Sequence, residues 1–243
     1  MNEVIELLMQ HRSIRAFKPE PVPDAHIETA VAAGQAASTS SAVQAYSLLQ
    51  ITDPTVRKRL VELTGGQTKV ASSGAFFIVL GDSRRHRIAA DAHDTAYDAR
   101  LEAFLVATVD ASLFAQNLCI AFESMGYGIC YIGGLRNQLD EVDAMLGLPE
   151  GVYALYGLCV GVPDQAPTAR PRLAPRAVWM KDRYADDSTV QADLDAYDKE
   201  YREYRKARGA SDDGWSTIVA TSHAKPKRVY LAEYYRKKGA RLD

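Results

Sequence analysis

Residues 11–15 of the 243-residue chain, with the sequence His-Arg-Ser-Ile-Arg, concentrate hydrogen-bond donors in a short segment. Two guanidinium groups and a hydroxyl group alternate with Ile14, so that several donors can face one side of the backbone. Such a set suits a phosphate monoester, which guanidinium groups bind through paired hydrogen bonds. The alternative interpretation is a solvated surface turn, which is typical of short charged segments.

Three further segments could contact the same ligand. Residues 38–41 (Ser-Thr-Ser-Ser) offer hydroxyl groups and backbone amides, or else form a polar helix end. Residues 131–137 (Tyr-Ile-Gly-Gly-Leu-Arg-Asn) contain two glycines that let the backbone approach a planar ligand, or else form a plain tight turn. Arg170-Pro171-Arg172 holds two cations close together, because the proline stiffens the loop.

Several other kinds of site are excluded by the sequence. Gly126-Tyr127-Gly128 begins like a dinucleotide-binding fingerprint, but Tyr131 stands where the third glycine is required. The chain contains no Walker-type phosphate loop, no nucleophile elbow and no paired-cysteine spacing of the zinc-binding kind. The five histidines are scattered without metal-ligand spacing, so we expect no metal ion. A formal net charge of −2 argues against nucleic acid as a partner.

The elements that must position these segments can be read from apolar spacing. Helix and strand patterns alternate, with short apolar runs that predict strands at residues 46–51, 75–80, 128–132 and 153–160 and a short helix at 139–146. The longest periodic segment, residues 101–125, is apolar on more than one face, which is typical of a central helix or of one packed against a second subunit. Beyond a proline-rich loop the chain becomes polar and helix-forming, so we expect this tail to gain burial on another surface.

The neighbours of the cysteines and the lengths of the apolar runs indicate in which cellular compartment the protein lies. Cys119, Cys130 and Cys159 each lie among apolar neighbours, which predicts buried thiols in a reducing compartment. The longest apolar runs fall short of the roughly 18 residues that span a bilayer, and the N-terminus lacks the pattern of a secretory leader. We therefore expect a cytoplasmic protein with no membrane contact.

The order and spacing of these segments, together with Gly65-Gly66-Gln67, resemble the oxygen-insensitive NADPH nitroreductases and NADPH-flavin oxidoreductases of the nitroreductase A-like group. The resemblance extends from Ile5 to Tyr230-Leu231. It implies an α+β, nitroreductase-like fold with a mixed, mainly antiparallel central sheet flanked by helices, in a single domain over residues 1–243. It also implies a homodimer with two FMN sites at the interface, in which a helical excursion over residues 190–243 wraps around the partner subunit.

The resemblance assigns roles to individual residues. The cofactor-binding residues that it implies are His11, Arg12, Ser13, Arg15, Ser38, Thr39, Ser40, Gln67, Tyr131, Ile132, Gly133, Gly134, Arg170 and Arg172. The first four and the last two would hold the phosphate, Gln67 would contact the ribityl chain or the pyrimidine edge, and the Gly133 amide would face flavin N5. Arg205, Lys206 and Arg208 would bind the 2′-phosphate of NADPH. Arg170 replaces a lysine found in many relatives but keeps the positive charge, and Thr39 replaces a serine but keeps a hydroxyl group.

The implied reaction needs no catalytic side chain, because the cofactor carries the chemistry. Hydride passes from NADPH to FMN and then, in a second half-reaction, to a small-molecule acceptor such as a nitroaromatic compound or a quinone. Two alternatives stay open. One is a flavin reductase that supplies free reduced FMN, and the other is a non-catalytic protein that binds a phosphate ligand with the same arginines.

Overall fold

Four antiparallel strands form the central sheet of the computed structural model, which describes residues 2–243. They are β1 (Tyr46–Gln50), β2 (Ala75–Asp82), β3 (Gly128–Ile132) and β4 (Val152–Gly161), in the spatial order β1-β2-β4-β3. The middle strands β2 and β4 are buried almost throughout, which explains their nearly uninterrupted apolar sequences. The predicted α+β fold is confirmed. Among the described residues, parallel pairing is confined to one bridge between Ser13 and Ile129.

The same residues form eleven α-helices. These are α1 (Glu3–Met9), α2 (Asp24–Gln35), α3 (Pro54–Leu63), α4 (Lys69–Ser72), α5 (Arg84–Ala92), α6 (Leu101–Ser124), α7 (Leu139–Leu146), α8 (Pro175–Val178), α9 (Asp187–Lys206), α10 (Trp215–His223) and α11 (Leu231–Lys237). Short 3-10 helices at Ser40–Ala42 and Gly133–Asn137 lie in two of the segments that the sequence singles out. Gly126 ends α6 because its φ of +86° suits glycine better than any other residue.

Helix α6 is the longest element of the fold. Its buried face, which includes Phe114, Leu118 and Phe122, joins the core next to β2 and α2. Its opposite face carries an exposed stripe at spacings of four residues, Leu101, Leu105, Val109 and Leu113. By length and composition α6 is the one helix among residues 2–243 that could cross a membrane, a test that core helices of soluble proteins also pass.

The described chain divides into two compact units, and the first comprises residues 2–167 together with Tyr230–Asp243. It contains the sheet and α1 to α7, and α11 returns to it after the second unit. Tyr234 and Tyr235 of α11 are buried, and the Tyr235 hydroxyl donates a hydrogen bond to the carbonyl of Ala154 in β4 (3.2 Å). The C-terminal segment is therefore part of the core of this unit.

The second unit comprises Thr168–Val229 and contains α8, α9 and α10. Tyr197 and Tyr201 of α9 are buried, and the ring of Tyr197 packs edge-on against Trp215 of α10 (centroid distance 5.8 Å). The buried carboxylate of Asp198 accepts a hydrogen bond from the Ser216 amide (2.9 Å). This unit thus has a small aromatic core of its own, although its sequence is polar.

All three cysteines are buried, as the sequence predicts. Cys130 and Cys159 are paired residues on β3 and β4, and Cys119 of α6 donates from Sγ to the hydroxyl of Tyr131 (3.2 Å). Burial raises the pKa of Cys119 and of Cys159 to about 12, so both thiols are protonated at neutral pH. They act as small apolar side chains.

Candidate functional site

The donor-rich segment of residues 11–15 is anchored along the outer edge of β3. The Ile14 amide donates to the Ile129 carbonyl (2.9 Å), and the Ile14 side chain is buried. Gly128 makes this approach possible, because a Cβ at that position would lie 2.7 Å from the Cβ of Ile14. With Ile14 turned into the core, its neighbours Ser13 and Arg15 point to the opposite side. The alternation read from the sequence therefore creates a polar edge next to β3.

His11 is held from the other direction by α6. Its Nδ1 atom lies 2.7 Å from Oε1 of Glu123, whose side chain is only 11% exposed. The contact joins residues 112 positions apart in the chain, and Glu123 belongs to none of the motifs singled out from the sequence. With Nδ1 engaged, Nε2 is the ring nitrogen that remains for a ligand.

The glycine pair at the end of β3 lies against the turn that carries Gln67. A Cβ at Gly134 would lie 2.5 Å from the Thr64 carbonyl oxygen and closer still to Nε2 of Gln67. Gln67 itself donates from Nε2 to the Thr64 carbonyl (3.0 Å). The structure therefore brings Gln67 and Gly134 together, as a shared ligand contact requires.

Gly133 differs from Gly134 because the protein itself leaves room for a side chain. Its φ is not positive, and a Cβ would meet only Nη2 of Arg136, at 3.4 Å, which is an ordinary van der Waals distance. A planar group packed against the backbone gives a physical reason for glycine there. Tyr131, 37% exposed, and the buried Ile132 precede it on the same strand.

Two cations lie near the middle of β3. Burial raises the pKa of Cys130, while the positive charges of Arg15 and Lys69 act in the opposite direction, which places both cations within electrostatic range of this strand. Lys69, at the start of α4, was missed by the sequence analysis. Its position two residues after Gln67 is the feature of the sequence that could have indicated it.

The hydroxyl-rich segment with Ser38, Thr39 and Ser40 lies elsewhere. The Ser40 amide donates to Oδ1 of Asp110 (3.0 Å), and the Ala45 amide donates to Oδ2 of the same carboxylate (3.1 Å). Asp110 is fully buried on α6, thirteen residues before Glu123. At a rise of about 1.5 Å per residue, the two anchoring points are roughly 20 Å apart. One chain therefore does not bring this segment next to His11.

The remaining predicted residues belong to the second unit. Arg170 and Arg172 are exposed in the segment before α8, and both lie close enough to Tyr197 for their charges to lower its pKa against the effect of burial. At the end of α9, Arg208 lies over the Tyr204 ring (5.4 Å) and donates to the Thr168 hydroxyl (3.4 Å). The Arg170 segment and the end of α9 are thus neighbours.

Arg205 and Lys206, the other two basic residues at this helix end, differ in whether they bind a partner within the protein. Arg205 donates from Nε to the Ser211 carbonyl (2.9 Å) and from Nη2 to the Ser211 hydroxyl (2.5 Å). Lys206 is exposed. Arg205 is therefore half-buried and bound within its own loop, whereas Lys206 and Arg208 are exposed.

The residues at the outer edge and at the end of β3 fit FMN. Guanidinium, hydroxyl and imidazole donors along β3 match a phosphate monoester, and the open backbone at Gly133 matches a flat ring. No group of three or more His, Cys, Asp or Glu side chains that could hold a metal ion occurs among residues 2–243.

Comparison with known proteins places the chain in a family. Residues 8–162 match the model of the nitroreductase family, and residues 170–243 match that of the nitroreductase family C-terminal domain. The chain belongs to the nitroreductase family. Within this family it is 39% identical to an FMN reductase (NADPH) of Bacillus subtilis, with 98% of both chains covered. It is also 39% identical to an oxygen-insensitive NADPH nitroreductase of Salmonella typhimurium, again over 98% of both.

A solved nitroreductase-family structure is similar over the same length. The NfrA1 nitroreductase from Bacillus subtilis superimposes with a TM-score of 0.94 at 38% identity, covering 98% of each chain. The family membership and the fold that the sequence motifs implied are therefore confirmed. Glu123, Asp110 and Lys69 were not among the predicted residues. The signal for the two acids was the rarity of charges in so apolar a helix as α6.

Proposed function

We propose that the chain is an FMN-dependent oxidoreductase that takes hydride from NADPH and passes two electrons to nitroaromatic compounds, quinones or related acceptors. The observation that carries the proposal is the donor-rich segment of residues 11–15, fixed to β3 beside the open backbone at Gly133. The names of the relatives support both the cofactor and the donor. Bound FMN supplies the atom that accepts and then releases hydride.

The protein's own residues bind and orient in this scheme. Arg12, Ser13 and Arg15 hold the phosphate, and His11 donates to it from Nε2. Gln67, held against Gly134, faces the ribityl chain or the pyrimidine edge. NADPH and the acceptor would bind in turn at one site, which would give the two half-reactions a ping-pong order.

A second copy of the chain completes the site in this proposal. Ser38, Thr39 and Ser40 are anchored roughly 20 Å along α6 from the anchor of His11, so we assign the hydroxyl segment at each FMN to the second copy of the chain. Exposed apolar residues on two helices support the pairing of two copies, since exposed apolar surface marks interaction sites. On α6 they are Leu101, Leu105, Val109 and Leu113, and on α1 they are Val4, Ile5, Leu8 and Met9.

The second unit supplies the remaining cations. Its motifs assign Arg170 and Arg172 to the phosphate of FMN and Arg208 with Lys206 to the 2′-phosphate of NADPH, and Arg205 is bound to Ser211 in the same loop. A guanidinium at that phosphate favours NADPH over NADH. The three unpaired, buried cysteines support a reducing compartment, the cytoplasm.

The deciding experiment is an anaerobic absorbance spectrum of the purified protein before and after addition of NADPH or NADH. We expect flavin bands that bleach faster with NADPH. A colourless protein that cannot be reconstituted with FMN would overturn the proposal in favour of a phosphate-ligand binding protein. Equal bleaching by the two nucleotides would remove the role of Arg208.

A matched pair of variants tests the phosphate contact. Arg15→Gln removes a guanidinium from the edge of β3 and should weaken FMN binding about tenfold or more. Arg100→Gln alters an exposed arginine that pairs with Asp98 and should bind FMN like the wild type.

A second candidate function is a dedicated flavin reductase, which the name of the Bacillus subtilis relative favours. The two activities differ in whether free FMN is itself a good acceptor. Steady-state turnover with NADPH on free FMN and on a nitroaromatic compound separates them. A kcat/KM higher on free FMN would identify the flavin reductase.

A further inference from the structure

A cavity of about 320 Å³ lies beside β1, and none of its lining residues is assigned to FMN or NADPH. The lining comes from α2, β1, β2, α5 and α6, with Gln44 from the loop before β1. The volume is within the range of roughly 300–1,000 Å³ that is typical of small-molecule sites. We propose that this cavity binds a small aromatic carboxylic acid, whose ring lies among the apolar lining residues and whose carboxylate pairs with Arg85 at the rim.

The floor of the cavity is one face of the outer part of the sheet. Tyr46, Leu48 and Gln50 alternate along β1, and Gln50 is paired with Phe77 of β2, so these four side chains share one face. The ring of Tyr46 stacks on Phe114 of α6 (centroid distance 4.5 Å, interplanar angle 13°), which shows that this face is turned towards α6. Three buried aromatic side chains, held by the sheet and by α6, thus form an apolar floor.

Helix α2 supplies an aliphatic wall. It packs closely on α6 at Gly34, where a Cβ would lie 2.7 Å from the Phe114 ring. Ile27 and Val31, which lie one turn apart on this helix, both line the cavity. An aromatic ring placed between this wall and the floor would lose contact with water on its apolar surface. That loss is the main source of affinity for a ligand of this kind.

The hydroxyl group of Tyr46 is a buried donor without a partner. Tyr46 is only 5% exposed, and its hydroxyl oxygen has no hydrogen-bond partner among residues 2–243. Burial and the negative charge of Asp110 raise the pKa of Tyr46, against the opposite effect of Arg85, so the hydroxyl is protonated at neutral pH. Buried polar groups are nearly always paired. An unpaired donor on a residue that lines the cavity therefore favours a ligand that carries an acceptor.

Arg85 provides a positioned positive charge at the rim. Its guanidinium donates from Nη1 to the Tyr46 carbonyl (3.0 Å) and from Nη2 to the Ser47 hydroxyl (2.8 Å). A guanidinium has five N–H donors, so further donors remain for a carboxylate. The carboxylate of Asp82 lies 3.8 Å away, but it already accepts hydrogen bonds from the Ser47 hydroxyl and the Arg84 amide. The 61% exposed side chain of Arg85 is thus accessible to a ligand.

The remaining rim residues are uncharged and therefore leave the choice of ligand charge to Arg85. Gln35, Gln44 and Gln50 are exposed and offer neutral amide groups. Among the described residues that line the cavity, Arg85 is the one that carries a formal charge. A cavity of roughly 150 Å³ already accommodates benzene, so this larger one has room for a single substituted ring. Size, apolar lining and one cation together match an aromatic ring that carries a carboxylate.

The test compares benzoate with its neutral analogue benzamide by isothermal titration calorimetry of the purified protein. The wild type should bind benzoate more tightly than benzamide. Arg85→Gln should weaken benzoate binding about tenfold or more and change benzamide binding much less, because the charged ligand depends on the guanidinium. Arg84→Gln is the matched control, since it removes a neighbouring exposed arginine that does not line the cavity, and it should bind benzoate like the wild type.

Two further variants test the interior of the cavity. Leu48→Trp fills part of the space and should abolish binding of both compounds, and Tyr46→Phe, which keeps the stacked ring but removes the donor, should weaken the binding of both. Circular dichroism verifies that each variant is folded. Benzoate bound at the proposed flavin site would bind Arg85→Gln as tightly as the wild type. No binding of benzoate to the wild type, or equal binding to wild type, Arg85→Gln and Leu48→Trp, would overturn the inference. These measurements do not require FMN, so their outcome is separate from that of the proposed function.

Discussion

Replacing Gly134 by alanine should destabilise the protein, whereas the same change at the adjacent Gly133 should not. A Cβ added at Gly134 would lie 2.5 Å from the Thr64 carbonyl oxygen, a backbone atom that cannot rotate away. The turn carrying Gln67 must then move. Overpacking of this kind costs about 1–3 kcal/mol, and the rigidity of the contacted atom places the expected loss at about 2–3 kcal/mol.

At Gly133 an added methyl group should not destabilise the protein. A Cβ there would meet only Nη2 of Arg136, at 3.4 Å, and the backbone φ is not positive. Ordinary van der Waals contact costs little, and alanine lowers the conformational entropy of the unfolded chain, which stabilises by about 0.4–1 kcal/mol where the backbone is compatible. We therefore expect Gly133→Ala to be as stable as the wild type, or slightly more stable.

Urea unfolding of the three apoproteins, followed by far-ultraviolet circular dichroism, measures the difference. Gly134→Ala should lower the midpoint at an unchanged m-value, and its Tm should fall by about 4–12 °C for a chain of this size. With FMN present, both variants should bind more weakly, Gly133→Ala because its methyl group enters the space assigned to the ring. Equal stability of Gly134→Ala and the wild type, or an equal loss in Gly133→Ala, would refute the reasoning.

Three further predictions address the interface, a buried acid and the thiols. Val109→Asp places a charge in the exposed apolar face and should give a monomer by light scattering, whereas Ile88→Asp on α5 should stay dimeric; a dimeric Val109→Asp would contradict the proposed pairing. Asp110→Ala leaves the buried Ala45 amide and the part-buried Ser40 amide without their acceptor and should lower the free energy of unfolding by about 2–4 kcal/mol, so a loss below about 1 kcal/mol would argue against this anchor. Burial raises the pKa of Cys119 and Cys159 to about 12 from an ordinary value of 9.0, so the folded protein retains protons that the unfolded chain releases, and the stability that they contribute below pH 9 decreases as the pH rises towards 12. Urea titrations at pH 8 and pH 10 measure this decrease, which should be smaller in Cys119→Ala.

Local pattern was enough to predict most of the elements that carry the site. The bounds of β3 and α7 agree with the expected ones, and α6 ends where Gly126 marks its end. These elements follow from apolar periodicity and capping, which depend on residues a few positions apart. The ordered set of motifs was likewise sufficient to imply the family, because each motif is a contiguous stretch of sequence.

Only the tertiary structure decided which of those motifs share a place. The bridge from Ser13 to Ile129 joins residues 116 positions apart, and the contact of Asp110 with Ser40 spans 70 positions. Neither contact can be predicted from local periodicity, because the sequence around a strand edge or a buried acid does not specify which distant residue it will contact. For the same reason, the separation of the hydroxyl segment from His11 follows only from the structure, in which both are anchored to α6. The sequence by itself determined the chemistry of each recognition segment, and the packing around α6 decided which of these segments lie together within one chain.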